Sequence, residues 1–136
     1  MTNYLKIYTD GGARGNPGPA GIGAIAYDKN GEAAFTVSEY LGETTNNQAE
    51  YQAIIRAMEI AREKGARELD MFMDSELAVK QLNHEYKVKN QGLAPLFLKI
   101  HNLTVSFDRV KFTHVRREQN KEADRLANEA MDRAVV

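Results

Sequence analysis

The apolar residues of this chain first change their spacing near residue 47, and that change limits the folds open to it. Before it the pattern has the period of a strand. Leu5-Lys6-Ile7-Tyr8-Thr9 alternates, and Gly21 to Tyr27 and Ala33 to Tyr40 flank Asp28-Lys29-Asn30-Gly31, which predicts a hairpin. From Asn47 the spacing is helical, with Ala53, Ile54, Ala57, Met58 and Ala61 on one stripe that closes at a basic residue and a C-cap glycine, Lys64-Gly65. Leu69 to Met73 reads as a fourth strand and Glu76 to Leu82 as a short helix. Leu93, Leu96, Phe97, Ile100 and Leu103 mark another helix, Val110 to Val115 a fifth strand, and Ala123, Leu126, Ala127 and Ala130 a last helix. Strands joined by tight turns form an antiparallel meander, whereas strands separated by helices are parallel, right-handed crossovers. The expected fold is a mixed α/β sheet, with its site at the carboxyl ends of the parallel strands.

A chain of 136 residues has room for one domain, residues 1–136. Its 43% apolar and 27% charged residues are ordinary for a soluble protein, and stretches such as Ala20 to Tyr27 fall far short of the ~20 residues of a membrane helix. Without cysteine there is no disulfide, thiolate metal site or cysteine nucleophile, and the N-terminus lacks a leader pattern, so a cytoplasmic location is expected. The net charge of −1 conceals an uneven distribution. Residues 1–79 hold 7 Lys/Arg against 12 Asp/Glu (−5), residues 80–121 hold 9 against 3 (+6), and residues 122–136 hold 2 against 4 (−2). A basic stretch of this kind suits a polyanion, although taken alone it is more often a solvated surface.

Strand 1 is expected to end in Asp10 and strand 4 in Asp74. If those strands are adjacent and parallel, their carboxylates converge, and converging carboxylates require a shared proton or a divalent cation, with oxygen ligands favouring Mg²⁺ or Mn²⁺. A capping role for Asp74, just before Ser75 and a helix, stands beside that reading. Glu50 lies three residues after a candidate N-cap, Asn47, but also on the stripe of Ala53, Ile54 and Ala57 that faces the sheet, where a carboxylate needs a partner. Asp124, four residues after the candidate N-cap Asn120, taken alone serves the helix dipole. The glycine-rich run from Asp10 to Pro19 lacks the Lys-Ser/Thr of a phosphate loop; it allows close backbone approach to a ligand, and Asn16 offers both a donor and an acceptor. His84, His101 and His114 have no metal-ligand spacing, and Met71 and Met73 belong in the core.

Four motifs, Tyr8-Thr9-Asp10-Gly11-Gly12 with Asn16-Pro17-Gly18, Thr44-Thr45-Asn46-Asn47-Gln48-Ala49-Glu50, Asp74-Ser75, and Asn120-Lys121-Glu122-Ala123-Asp124, resemble type 1 ribonuclease H in order and spacing. The resemblance implies a mixed five-stranded sheet with helices on both faces, and an endonuclease that hydrolyses the RNA strand of RNA–DNA hybrids with two Mg²⁺ ions, or Mn²⁺ in their place. It implies catalytic and metal-binding roles for Asp10, Glu50, Asp74 and Asp124: Asp10 bridging both ions, Asp124 on the nucleophile side, Glu50 and Asp74 on the leaving-group side. Minor-groove and hydroxyl contacts carry over to Gly11, Gly12, Ala13, Asn16, Asn46 and Asn47, and DNA-phosphate contacts to Thr45 and Asn90; Glu76 stands where the family often has Gln. The partner implied is the hybrid, with no membrane or protein partner and a monomeric chain.

Two departures stand out. The loop histidine of many bacterial members is replaced by the short Val115-Arg116-Arg117-Glu118-Gln119, where Arg116 or Arg117 would substitute electrostatically but not as a general base. The basic handle, its tryptophans and a separate hybrid-binding domain have no counterpart, so weaker affinity and steep salt dependence are expected. A non-catalytic nucleic-acid-binding module and a phosphotransferase for a small substrate are the competing readings.

Overall fold

The computed structural model describes residues 3–134. Three strands come first, β1 (Tyr4–Ala13), β2 (Gly18–Tyr27) and β3 (Ala33–Thr44), followed by α1 (Asn46–Glu63), β4 (Glu68–Met73), α2 (Glu76–Leu82), α3 (Ala94–Thr104), β5 (Arg109–His114) and α4 (Lys121–Ala134). The sheet order is β3-β2-β1-β4-β5, antiparallel across β1, β2 and β3 and parallel across β1, β4 and β5. This is the expected mixed sheet.

Side-chain alternation along β1 assigns the two faces. Leu5, Ile7 and Thr9 are buried beneath α1, whose stripe of Ala49, Ala53, Ile54, Ala57, Met58 and Ala61 is buried with them, together with Met71 and Met73 of β4. The opposite face of β2 receives α4 through Ala123, Leu126, Ala127 and Ala130. Helices therefore cover both sides of the sheet.

Two glycines set how closely those helices approach. A Cβ on Gly11 would overlap the Ala49 carbonyl and come within 2.7 Å of the Glu50 nitrogen, so only glycine lets the first turn of α1 rest on β1. A Cβ on Gly23 would overlap the Ala123 carbonyl and reach 2.6 Å from the Ala127 nitrogen, which is how α4 lies against β2. At Gly12, by contrast, the nearest atom is Asn46 Oδ1 at 3.8 Å.

Three sequence expectations are corrected. β1 does not stop at Asp10: it runs on to Ala13, because β2 continues to pair with it as far as Ala13↔Ala20 after the parallel pairing with β4 has ended at Tyr8↔Phe72. The α1 N-cap is Thr45 rather than Asn47, its Oγ1 accepting from the Gln48 amide at 3.2 Å, which moves Glu50 beyond the capping turn. Asn120 precedes α4, but its amide does not cap it. Its Nδ2 donates to the Thr9 carbonyl at 2.9 Å and to Asp74 Oδ2 at 3.3 Å, and its buried Oδ1 has no partner.

Gly23→Ala and Gly11→Ala are each expected to lower stability by about 1–3 kcal/mol or more, since backbone must move to admit the methyl group. Gly12→Ala should stay within about 1 kcal/mol of the parent. Urea denaturation midpoints at constant m-value measure all three.

Candidate active site at the carboxyl edge of the sheet

The four acids arrive at one place by four local routes. Asp10 lies two residues past the parallel register of β1, where no β4 residue faces it, and Asp74 follows the last residue of β4. Glu50 is delivered by α1 over Gly11, and Asp124 by the first turn of α4 over Gly23. Ser75 caps α2 by accepting from the Ala78 amide at 3.1 Å, and Tyr51 donates its hydroxyl to Gln81 in the core, so α1 and α2 are tied beside Glu50.

All four carboxylates line a cavity of about 470 Å³, with Gly11, Gly12, Ala13, Asn16, Asn46, Asn47 and Arg117 of the expected contacts, and with Arg14 and Asn128 besides. Asn46 ties the wall together: its Oδ1 accepts from the Ala13 amide at 2.7 Å, and its own amide donates to Asn16 Oδ1 at 3.1 Å.

Crowding is written into the protonation of the acids. Burial pushes Asp10 up to about 8, reinforced by the charge of Asp74, by a hydrogen bond to Asp124 that favours the protonated form, and by the charges of Asp124 and Glu50. Burial likewise pushes Glu50 up to about 7; the Ser75 hydroxyl pulls it down and Asp74 pushes it further up. Among the described residues no three acids or histidines are drawn into a ready-made metal cage; the four acids stand around an open pocket. The donor set is nevertheless all oxygen, acidic, and opposed only by the two arginines of the lining. That chemistry fits a hard divalent cation such as Mg²⁺ or Mn²⁺.

Other expected contacts lie elsewhere. Thr45 is spent on capping α1, and Asn90 Oδ1 accepts from the Gly92 amide at 2.7 Å; both sit around Gln48, which donates to the Gly92 carbonyl, outside the lining of the acid pocket. Glu76 is exposed and paired with Lys80 at 3.1 Å. Of the two loop arginines only Arg117 lines the pocket; Arg116 precedes the short 3-10 turn Arg117–Gln119. Sequence reasoning passed over Arg14 and Asn128. Asn128 could have been found from its helical spacing, four residues after Asp124, whereas Arg14 sits in a turn that carries no periodic signal.

The sequence profile of the family described as "Reverse transcriptase-like" matches residues 8–130. A protein of Yersinia pestis (strain Pestoides F) named Ribonuclease H is 34% identical over 144 residues, covering 95% of this chain and 90% of that protein. The chain belongs to the type 1 ribonuclease H family. A bifunctional protein of Mycobacterium tuberculosis is 42% identical over 131 residues, which make up 96% of this ribonuclease H chain and 36% of that protein. The chain thus spans 36% of the length of the first curated relatives it matches. The crystal structure of LC11-RNase H1 in complex with RNA/DNA hybrid superposes on this ribonuclease H fold with a TM-score of 0.92 at 47% identity, covering 97% of this chain and 99% of that one.

An acid whose proton is held more tightly in the folded chain destabilises that chain as pH rises. The penalty is absent below the ordinary value of 3.8, grows as pH climbs, and is complete above about 8 for Asp10. In EDTA, Asp10→Asn should therefore leave Tm unchanged near pH 4 and raise it by at least about 5 °C at pH 8, as read by thermal unfolding across pH.

Proposed function

We propose that this chain is an endonuclease that hydrolyses the RNA strand of RNA–DNA hybrids, leaving 5′-phosphate and 3′-hydroxyl ends, and that residues 1–136 act as one catalytic domain. The observation that carries the reading is the gathering of Asp10, Glu50, Asp74 and Asp124 around one pocket whose wall is backbone and amide side chains. A small-molecule phosphotransferase has no use for an open pocket flanked by Asn16, Asn46 and Asn47, and a binding module has no reason to hold four mutually repelling acids against burial. Family membership, and a relative captured in complex with RNA/DNA hybrid, add to it.

Two Mg²⁺ ions, or Mn²⁺ in their place, would be held by the four carboxylates and would supply water activation and stabilisation of the leaving oxygen. The residues of the chain prepare that site. Asp10, at the centre of the electrostatic crowd, would serve both ions, Asp124 the one on the nucleophile side, and Glu50 with Asp74 the one on the leaving-group side. Asn120, itself buried, orients the Asp74 carboxylate through its 3.3 Å hydrogen bond. The backbone from Gly11 to Ala13, with Asn16, Asn46 and Asn47, offers donors and acceptors to 2′-hydroxyls and base edges in a shallow minor groove, which selects for a hybrid without reading its sequence. Thr45 and Asn90, gathered around Gln48, receive the phosphates of the DNA strand some way from the acids. Arg117 takes the electrostatic part that the loop histidine plays elsewhere.

With a labelled hybrid in Mg²⁺, the parent chain is expected to cut the RNA strand, and Asp10→Asn to lose at least about 10³-fold in rate while binding the hybrid at least as tightly. Binding by both proteins without cleavage by either would mean a binding module. Mg²⁺ should also raise the Tm of the parent at pH 8 in a concentration-dependent way, and that of Asp10→Asn much less.

A further inference from the structure

Along α4, Asp124, Asn128 and Asp132 recur every fourth residue and so share one face, about 12 Å from first to last at 1.5 Å per residue. Arg14, projecting from the turn between β1 and β2, crosses this face at its far end. Its Nη2 donates to Asp132 Oδ1 at 2.6 Å and to the Asn128 carbonyl at 3.5 Å. The Asn128 amide in turn donates to the Asp124 carbonyl at 3.0 Å. Arg14 and Arg117 are the two cations lining the acid pocket. Arg117 precedes α4 and Arg14 meets its last turns, so along that helix they stand on either side of Asp124.

A structural tie is the plain explanation for the Arg14–Asp132 pair, and magnitudes weigh against it. The side chains are 42% and 66% exposed, and exposed pairs contribute about 0–1 kcal/mol. α4 is already anchored by buried Ala123, Leu126, Ala127, Ala130 and Met131, of which Leu126 and Met131 are worth about 1.5–3 kcal/mol each and each alanine methyl about 0.8 kcal/mol. The pair adds little to that. The contact also uses Nη2 alone, whereas a guanidinium offers a planar fork that a phosphate can engage in two hydrogen bonds.

Resting on the proposed ribonuclease reading, we propose that Arg14 binds a backbone phosphate of the strand that crosses the acid pocket, and that Asp132 is a positioning residue that holds Arg14 at the rim until that phosphate displaces it. Asp132 keeps the guanidinium extended along α4, beside the polyanion's path, and prevents it from folding back onto Asp10 and Asp124. Exchange of one anionic partner for another leaves the fold untouched, so the effect falls on affinity and its salt dependence.

The test is fluorescence anisotropy of a labelled RNA–DNA hybrid between 50 and 200 mM NaCl, in the uncleaving Asp10→Asn background, with Arg14→Gln, Asp132→Asn and both together. Arg14→Gln is expected to weaken binding roughly five- to tenfold at the lowest salt and to make the slope of log K against log[salt] shallower by about 0.9, one phosphate contact, with Tm unchanged. Asp132→Asn is expected to tighten binding about threefold, and to lose that gain when Arg14 is already Gln. Unchanged slope in Arg14→Gln overturns the proposal, as does a gain from Asp132→Asn that survives without Arg14, which would be bulk charge repulsion alone. Absence of hybrid binding by every variant would instead overturn the ribonuclease reading itself; binding with the predicted slopes but no cleavage by the parent would leave Arg14 as a phosphate-binding residue on a non-catalytic module.

Discussion

Four carboxylates are held at one edge of the sheet against their mutual repulsion, and most of what is particular about this structure follows from how that is done. Each acid whose protonation is displaced costs a few kcal/mol when ionised, at about 1.4 kcal/mol per pH unit. The apolar packing on either side is larger. Leu5, Ile7, Ile54, Ile55, Met58, Leu69 and Met71 are buried almost completely, and at about 1.5–3 kcal/mol each they together outweigh the penalty. The acids do not assemble the site; the core does, and the acids are carried to it.

The carriers are backbone contacts. Gly11 and Gly23 lie on opposite faces of the sheet, and each admits a helix to a distance that any other residue would refuse. One helix brings Glu50 and the other Asp124, while Asp10 and Asp74 come from adjacent parallel strands. Asn120 then links the pieces from within, reaching from the start of α4 to the Thr9 carbonyl of β1 and to Asp74 after β4. A cluster built on four backbone elements and one buried amide gathers its acids around an open pocket. Arg14 and Arg117 are the cations of the pocket lining.

Much of this was legible in the chain. The change of apolar period predicted nine elements in the right order, and the boundaries of α2 agree with the structure residue for residue. The misses lie at the ends of elements. Asn47 looks like a helix cap by composition, but Thr45 holds that place because the turn after β3 presents its hydroxyl to the Gln48 amide. β1 appeared to end at Asp10 because Gly11 and Gly12 have low strand propensity, yet pairing with β2 carries the strand to Ala13. Asn120 also passed for a cap. There a local preference lost to partners far away in sequence, the Thr9 carbonyl and the Asp74 carboxylate.

The division between sequence and tertiary structure is then a matter of range. Periodicity, turn residues and cap chemistry act over a few residues, so the sequence by itself determined the elements, the mixed parallel and antiparallel sheet, and the identity of the four acids at strand ends and helix starts. It could not determine which neighbours each side chain meets. That Arg14 and Asn128 join the acid pocket, that Glu76 and Arg116 stay out of its lining, and that Thr45 and Asn90 gather around Gln48 instead was decided only when the helices docked on the sheet. Those contacts join residues as many as 118 positions apart, and no local pattern encodes them.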